Sequence, residues 1–188
     1  MSTVKIDIHN GMLGYRVFLI DRKNKEKFSS IKTLTDLRNF KGGFGSQWGD
    51  FKIFALNELP VVGVARTEHL TTMLVNGRFD YFHRGLNEAW AEVEEQKARI
   101  PSLMVEETIA LIYDLPVYFM FKKTNYLLKE RFQLGFELIH QDGSFHALFM
   151  KHFGDISRMA AMEKRTIIRI KYPGPPGLPP IDTHLWLK

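Results

Sequence analysis

Short apolar runs rich in β-branched and aromatic residues alternate along this chain with stretches whose apolar residues recur at helical spacing. That alternation constrains the fold more than any other feature. Residues 15–20 (YRVFLI), 61–65 (VVGVA) and 79–82 (FDYF) read as strands. Between them, residues 35–40 read as a short helix with Thr35 as N-cap, and residues 46–59 as a helix stopped by Pro60. Residues 67–75 form a third helix, closed by Asn76-Gly77. Residues 86–97 read as an amphipathic helix, and residues 103–121 as one or two strands broken at residues 114–116. Two more helices are predicted, at 126–140 and at 144–153, the second ended by Gly154. The tail at 172–180 (YPGPPGLPP) is too proline-rich for helix or sheet, and Leu185, Trp186 and Leu187 are expected to anchor its end. Strands interleaved with helices imply an α/β fold, with a mostly parallel sheet flanked by helices on both faces.

Composition excludes several functions. The 188 residues, 45% hydrophobic and 25% charged, suffice for a closed core. The absence of cysteine rules out disulfides, zinc–thiolate sites and thiol nucleophiles. The net charge of +5 is spread along the chain, its densest groups being residues 22–27 and residues 164–171, both flanking apolar strand-like segments. They read as solvated strand ends, not as the aromatic-interleaved basic stripe of a nucleic-acid binder. No apolar run approaches the roughly 20 residues that cross a bilayer. The amino terminus, MSTVKIDIHNGM, lacks the basic and apolar regions of a secretory signal.

Two segments carry possible binding chemistry. Residues 42–50 (GGFGSQWGD) join a strand to a helix, where free backbone N–H groups and the helix dipole can seat a carboxylate or phosphate. The alternative is a tight turn whose glycines only permit close packing. In residues 80–90 (DYFHRGLNEAW) a second strand feeds a helix through glycine. Arg84 there can grip an anion or pair with Glu88 or Asp80, and His83 reads as packed or solvated. Catalysis has little support. Glu106 and Glu107 would face opposite sides of a strand, and His140, His146 and His152 recur at a spacing that suits no metal. No metal or cofactor is expected; the alternative to a binding protein is an enzyme, for which Glu88 is the one candidate acid, or a ligand-sensing regulatory domain.

The order GYRVFLI, TLTDLRNF, GGFGSQWGD, VVGV, LTTMLVNGRFDYFHRGLNEAW, LPVYFMFKK, LKERFQLGFELIHQDGSFHALFMKHFG resembles bacterial extracellular solute-binding proteins, of the type II amino-acid-binding family that serves ABC transporters. The pattern LVNGRFD and the later DGSF…KHFG carry the likeness, which covers about residues 11–188. The resemblance implies two α/β lobes closing on a small polar or anionic solute, an ABC permease as partner, and a periplasmic location. It divides this chain into a remnant of a first lobe (1–13), a complete second lobe (14–116) and a return segment with C-terminal helices belonging to the incomplete first lobe (117–188). It gives Gly45, Ser46, Gln47 and Trp48 the role of donating to a ligand carboxylate. Arg84, Gly85, Asn87 and Glu88 stand where the family holds a ligand ammonium, yet no acid falls at Arg84-Gly85, and Glu88 is the substitute one turn on. Without most of the first lobe, Phe132, Phe136, Phe145 and Phe149 would be partly uncovered, which predicts a homodimer through these helices or their exchange between chains.

Overall fold

The computed structural model describes residues 1–172. In chain order its strands are β1 (Ser2–Thr3), β2 (Tyr15–Asp21), β3 (Gly42–Gly45), β4 (Val61–Val64), β5 (Tyr81–Gly85), β6 (Leu103–Val105), β7 (Ile109–Ile112), β8 (Met120–Phe121) and β9 (Thr166–Arg169). Its α-helices are α1 (Lys25–Ser29), α2 (Leu34–Leu37), α3 (Phe51–Leu56), α4 (Leu70–Val75), α5 (Leu86–Gln96), α6 (Tyr126–Gln141) and α7 (Ser144–Ala160). β1 and β8 pair with each other in a separate two-stranded sheet. The main sheet has the order β4-β3-β5-β2-β7-β9, with β6 also paired to β2.

From Val17 to Ile20 the β2 run is apolar because both of its faces are covered. Val17 and Leu19 point into one cluster with Leu70, Leu74, Phe82, Leu86 and Phe149. Phe18 and Ile20 point into another with Phe28, Leu37, Phe44, Ile53 and Phe54. Alternation along the strand thus feeds two cores, one per face. β2 is antiparallel to β5, β6 and β7, whereas β3 is parallel to β4 and β5, and β7 to β9. The sheet is therefore mostly parallel in strand direction, with β2 alone running against the rest. That reversal brings the start of β2 to the edge where β3, β5 and β7 end.

Several local expectations change. Residues 42–45 are a strand, not a turn, and their glycines make room for rings. A Cβ at Gly43 would come within 2.2 Å of the Phe79 ring, and one at Gly45 within 2.5 Å of Trp48. The turn follows instead at 46–50, so the predicted helix at 46–59 shrinks to α3. The N-cap of α2 is Thr33, not Thr35: its hydroxyl accepts from Asp36 N–H at 3.2 Å, and Asp36 Oδ2 accepts from Thr33 N–H at 2.9 Å. This reciprocal box ties down both ends of one turn. α7 runs through Gly154, which is buried against Met150. Phe149 is buried as well, unlike the exposed Phe132.

After α7 the chain returns as β9 beside β7, so residues 166–169 complete the main sheet rather than standing apart with the helices. Arg165 fixes this return: it is buried, and its Nε donates to the Ala160 carbonyl at 2.7 Å, its Nη1 to the Glu106 carbonyl at 2.5 Å. α6 differs from every other long element in having no buried residue. The predicted extended tail lies almost wholly outside the described residues.

Candidate ligand-binding site

The turn after β3 and the β5–α5 junction meet at the carboxyl edge of the sheet, where the start of β2 and the end of β7 also arrive. In antiparallel register Arg16 stands opposite Gly85 and Val17 opposite Arg84. Tyr113, directly after β7, faces the same edge. Together they border a cavity of about 420 Å³ lined by Arg16, Gln47, Trp48, Gly49, Asp50, His83, Arg84 and Glu88.

Its floor is a buried polar cluster centred on one carboxylate oxygen. Tyr113 donates its hydroxyl to Asp50 Oδ2 at 2.7 Å and accepts from Arg16 Nε at 2.9 Å. Arg16 Nη2 lies 3.4 Å from the same Asp50 oxygen, and His83 Nε2 lies 3.5 Å from it. Burial opposes ionisation of Asp50, but the hydrogen bond and charge of His83, the Arg16 guanidinium and the Tyr113 hydroxyl outweigh it, so its pKa falls well below the usual carboxylate range. Burial pushes the His83 pKa down to about 4, against the pull of Asp50, so the imidazole is neutral at neutral pH. Its ring packs 4.3 Å from that of Phe44 and 4.5 Å from that of Phe54. Burial likewise raises Tyr113 far above the ordinary phenol value, keeping its proton in place as a donor.

The rim is built around Arg84. Its guanidinium lies over Trp48, 4.8 Å from the ring centroid, and over Phe82 at 5.0 Å. Its Nε meets Glu92 at 2.5 Å, and Nη1 lies 3.8 Å from Glu88. Glu88 also accepts from the Gly85 N–H at 3.3 Å, closing the first turn of α5. Asp80 takes no part, since it accepts from the Lys41 N–H instead. Arg84 is thus held between an acidic pair and an indole face, with its position fixed before any ligand arrives.

Of the residues singled out in the sequence, Gln47, Trp48, Arg84 and Glu88 line the cavity. Gly45 lies beneath Trp48 as packing space, and Gly85 meets Arg16 across the ladder. Asn87 is exposed on the first turn of α5, outside the lining. Two of the backbone donors expected from the turn are already committed. Ser46 N–H donates to the Val64 carbonyl at 3.1 Å and Trp48 N–H to the Gly45 carbonyl at 3.0 Å. The polar groups facing the cavity are therefore mostly side chains. Arg16 and Tyr113 were missed, because only the reversed β2 and the end of β7 bring them here; Asp50 lies in the segment singled out, but nothing local shows that its carboxylate meets them. Among the described residues no cluster could hold a metal ion, and no helix is long and apolar enough to cross a membrane.

No protein-family model matches this sequence, and no curated protein matches it. Solved structures do. An ancestral arginine-binding protein bound to glutamine matches with a TM-score of 0.54 and 20% identity, over 77% of this chain and 62% of that one. A structure described for glutathione import via GshT and the cystine ABC importer of Streptococcus mutans matches at 0.52 and 18%, over 77% and 61%. An amino acid ABC transporter substrate-binding protein from Streptococcus pneumoniae, bound to L-arginine, matches at 0.50 and 16%, over 79% and 59%. The chain spans about three fifths of the length of these proteins. These likenesses lead to one conclusion: the fold of this chain is that of the type II solute-binding proteins of ABC transporters, over about three fifths of their length.

Proposed function

We propose that this chain is a solute-binding lobe of an ABC-type importer, holding a small polar or anionic solute such as an amino acid or organic acid at the carboxyl edge of its sheet. The observation that carries this is the convergence of Arg16, Gln47, Trp48, Asp50, Arg84 and Glu88 on one open cavity of about 420 Å³. Small-molecule sites in such sheets form where neighbouring loops meet at that edge. The matched structures, whose descriptions name glutamine, L-arginine and glutathione, add the solute class. Because those proteins are longer, a second lobe closing over the cavity and a permease receiving the closed form are parts of the same proposal, as is a periplasmic or extracellular setting. The role is binding without turnover: Glu88 is tied to the start of α5 and to Arg84, which leaves it a positioning group rather than an acid–base. The Trp48 indole and the amides of residues 46–50 and 84–88 report on the site. Titrating the protein with amino acids and organic acids should move their NMR signals first, with weak affinity for a single open lobe. A panel that leaves all of those signals in place would overturn the reading.

We also propose that two copies associate through α6. Leu127, Leu128, Leu134 and Leu138 are each 45–63% exposed on this helix. Burying side chains of this kind is worth roughly 1.5–3 kcal/mol each, and an apolar face of this extent marks an interaction surface.

A further inference from the structure

Resting on the solute-binding reading above, we propose that the solute is an extended, peptide-like chain, which begins in the cavity beside Arg84 and runs along α5 into a second cavity beyond it.

Arg84 borders three cavities. Besides the one of about 420 Å³ already described, it lines one of about 320 Å³ on the flank of α5 and one of about 690 Å³ that reaches Thr71 and Arg99. The first two also share Glu88, and the last two share Glu92, Glu95 and Gln96. Cavities with common walls of this kind form one trough.

The sequence of α5 explains why the trough is there. Leu86, Ala89, Trp90 and Val93 turn one face of the helix to the core. Glu88, Glu92 and Glu95, spaced four and three apart, therefore share a flank that stays open. From Glu88 to Gln96 the helix rises about 12 Å. That is the span of about three to four extended residues, well beyond a single amino acid.

The lining suits a backbone. Apart from Ala91 and Ala98, every residue of the two added cavities is polar, so a solute rich in amide groups fits and an apolar one does not. Between the first cavity and the far one stands the Arg84–Glu92 pair, Nε to Oε2 at 2.5 Å. A guanidinium beside a carboxylate keeps further N–H groups and lone pairs to offer, the complement of the C=O and N–H of a peptide unit. At the far end Arg99 is oriented before any ligand arrives. Its Nε and Nη2 donate to Gln96 Oε1 at 3.1 and 2.6 Å, and Nη2 also donates to the hydroxyl of buried Thr71 at 3.3 Å. Arg99 thus acts as a ligand-contacting residue, with Gln96 as its positioning residue.

Alanine and tetra-alanine share their chemistry and differ in length, so NMR titrations of the native protein with each test the inference. Residues 46–50 and 84–88 report on the first cavity, and residues 67–71 and 95–99 on the far one. Alanine should move only the first set. Tetra-alanine should move both and bind at least about fivefold more tightly. Arg99→Ala and Gln96→Ala should each cut that advantage about threefold or more, with a dispersed spectrum showing an intact fold. Tetra-alanine that moves one set alone, or binds no more tightly than alanine, would overturn the inference, while alanine shifts in the first set would leave the solute-binding reading standing. Silence of both sets toward both solutes would also overturn it, and the panel of amino acids and organic acids then decides the reading itself.

Discussion

Tyr113 and Asp50 lie 63 residues apart in the chain, and the hydroxyl of one donates to the carboxylate of the other at 2.7 Å. This bond ties the turn after β3 to the end of β7 across the intervening strands β5 and β2. Tyr113→Phe removes that donor together with the acceptor of Arg16 Nε, leaving two charged groups less satisfied in a buried place. The expected cost is about 1–3 kcal/mol in denaturant unfolding. Amide exchange at residues 47–50 should quicken in the same variant, and an unchanged exchange pattern there would show that the bond does not hold the turn.

Stability should fall on mild acidification. The His83 pKa is lowered from 6.5 to about 4 in the folded chain, so the unfolded chain takes the proton first. The stabilisation is complete above pH 6.5 and is lost as pH falls from there through about 4, on the order of 3 kcal/mol in all. His9, also lowered by burial, adds in the same direction. Melting temperatures measured from pH 7.5 to pH 4.5 should drop for the native chain and drop less for His83→Gln. Equal slopes for the two proteins would remove His83 as the cause.

Two glycines give a sharp contrast. Gly43→Ala places a methyl 2.2 Å from the Phe79 ring inside the core, whereas Gly49→Ala meets nothing within 4 Å. The first should lose about 1–3 kcal/mol through overpacking. The second should stay within about 1 kcal/mol of the native chain, with a gain the more natural sign. Paired thermal melts decide it, and a Gly43→Ala protein as stable as the native one would mean that the ring has room to move.

Association through α6 is open to direct measurement. Light scattering on a sizing column should show a dimer at tens of micromolar, and Leu134→Glu combined with Leu138→Glu should return a monomer with unchanged secondary structure. Both residues are more than half exposed within one chain, so the pair tests the surface and not the core. A native monomer at high concentration would leave the face to a different partner.

The strands were legible where burial on both faces left an apolar run, as at residues 17–20, and β6 and β7 fall within the stretch 103–121 that was read as one or two strands. Glycine was ambiguous. At 42–45 it marks a strand crossed by aromatic rings, and nothing local separates that use from a turn. The capping residue of α2 was misplaced by two positions because Thr33 and Thr35 offer the same hydroxyl, and only the partner Asp36 distinguishes them. Half of the site could be read in advance, since Gln47, Trp48, Arg84 and Glu88 follow strands whose ends converge. Arg16 and Tyr113 could not. Their place depends on β2 running against its neighbours, and strand direction is a property of long-range pairing that no local periodicity records.

The helical hairpin α6–α7 follows β8 and returns as β9, so it is moored at both ends, by pairing of β8 with β1 and of β9 with β7, and along α7 by Phe149 and Ala160 in the core. A hairpin fastened in this way behaves as a handle rather than a loose arm. Trading it between two molecules would require peeling β9 from the sheet margin and drawing Arg165 out of its cage of carbonyls, whereas pressing two handles together breaks nothing. Any pairing of this protein should accordingly be fast, reversible and set by concentration alone.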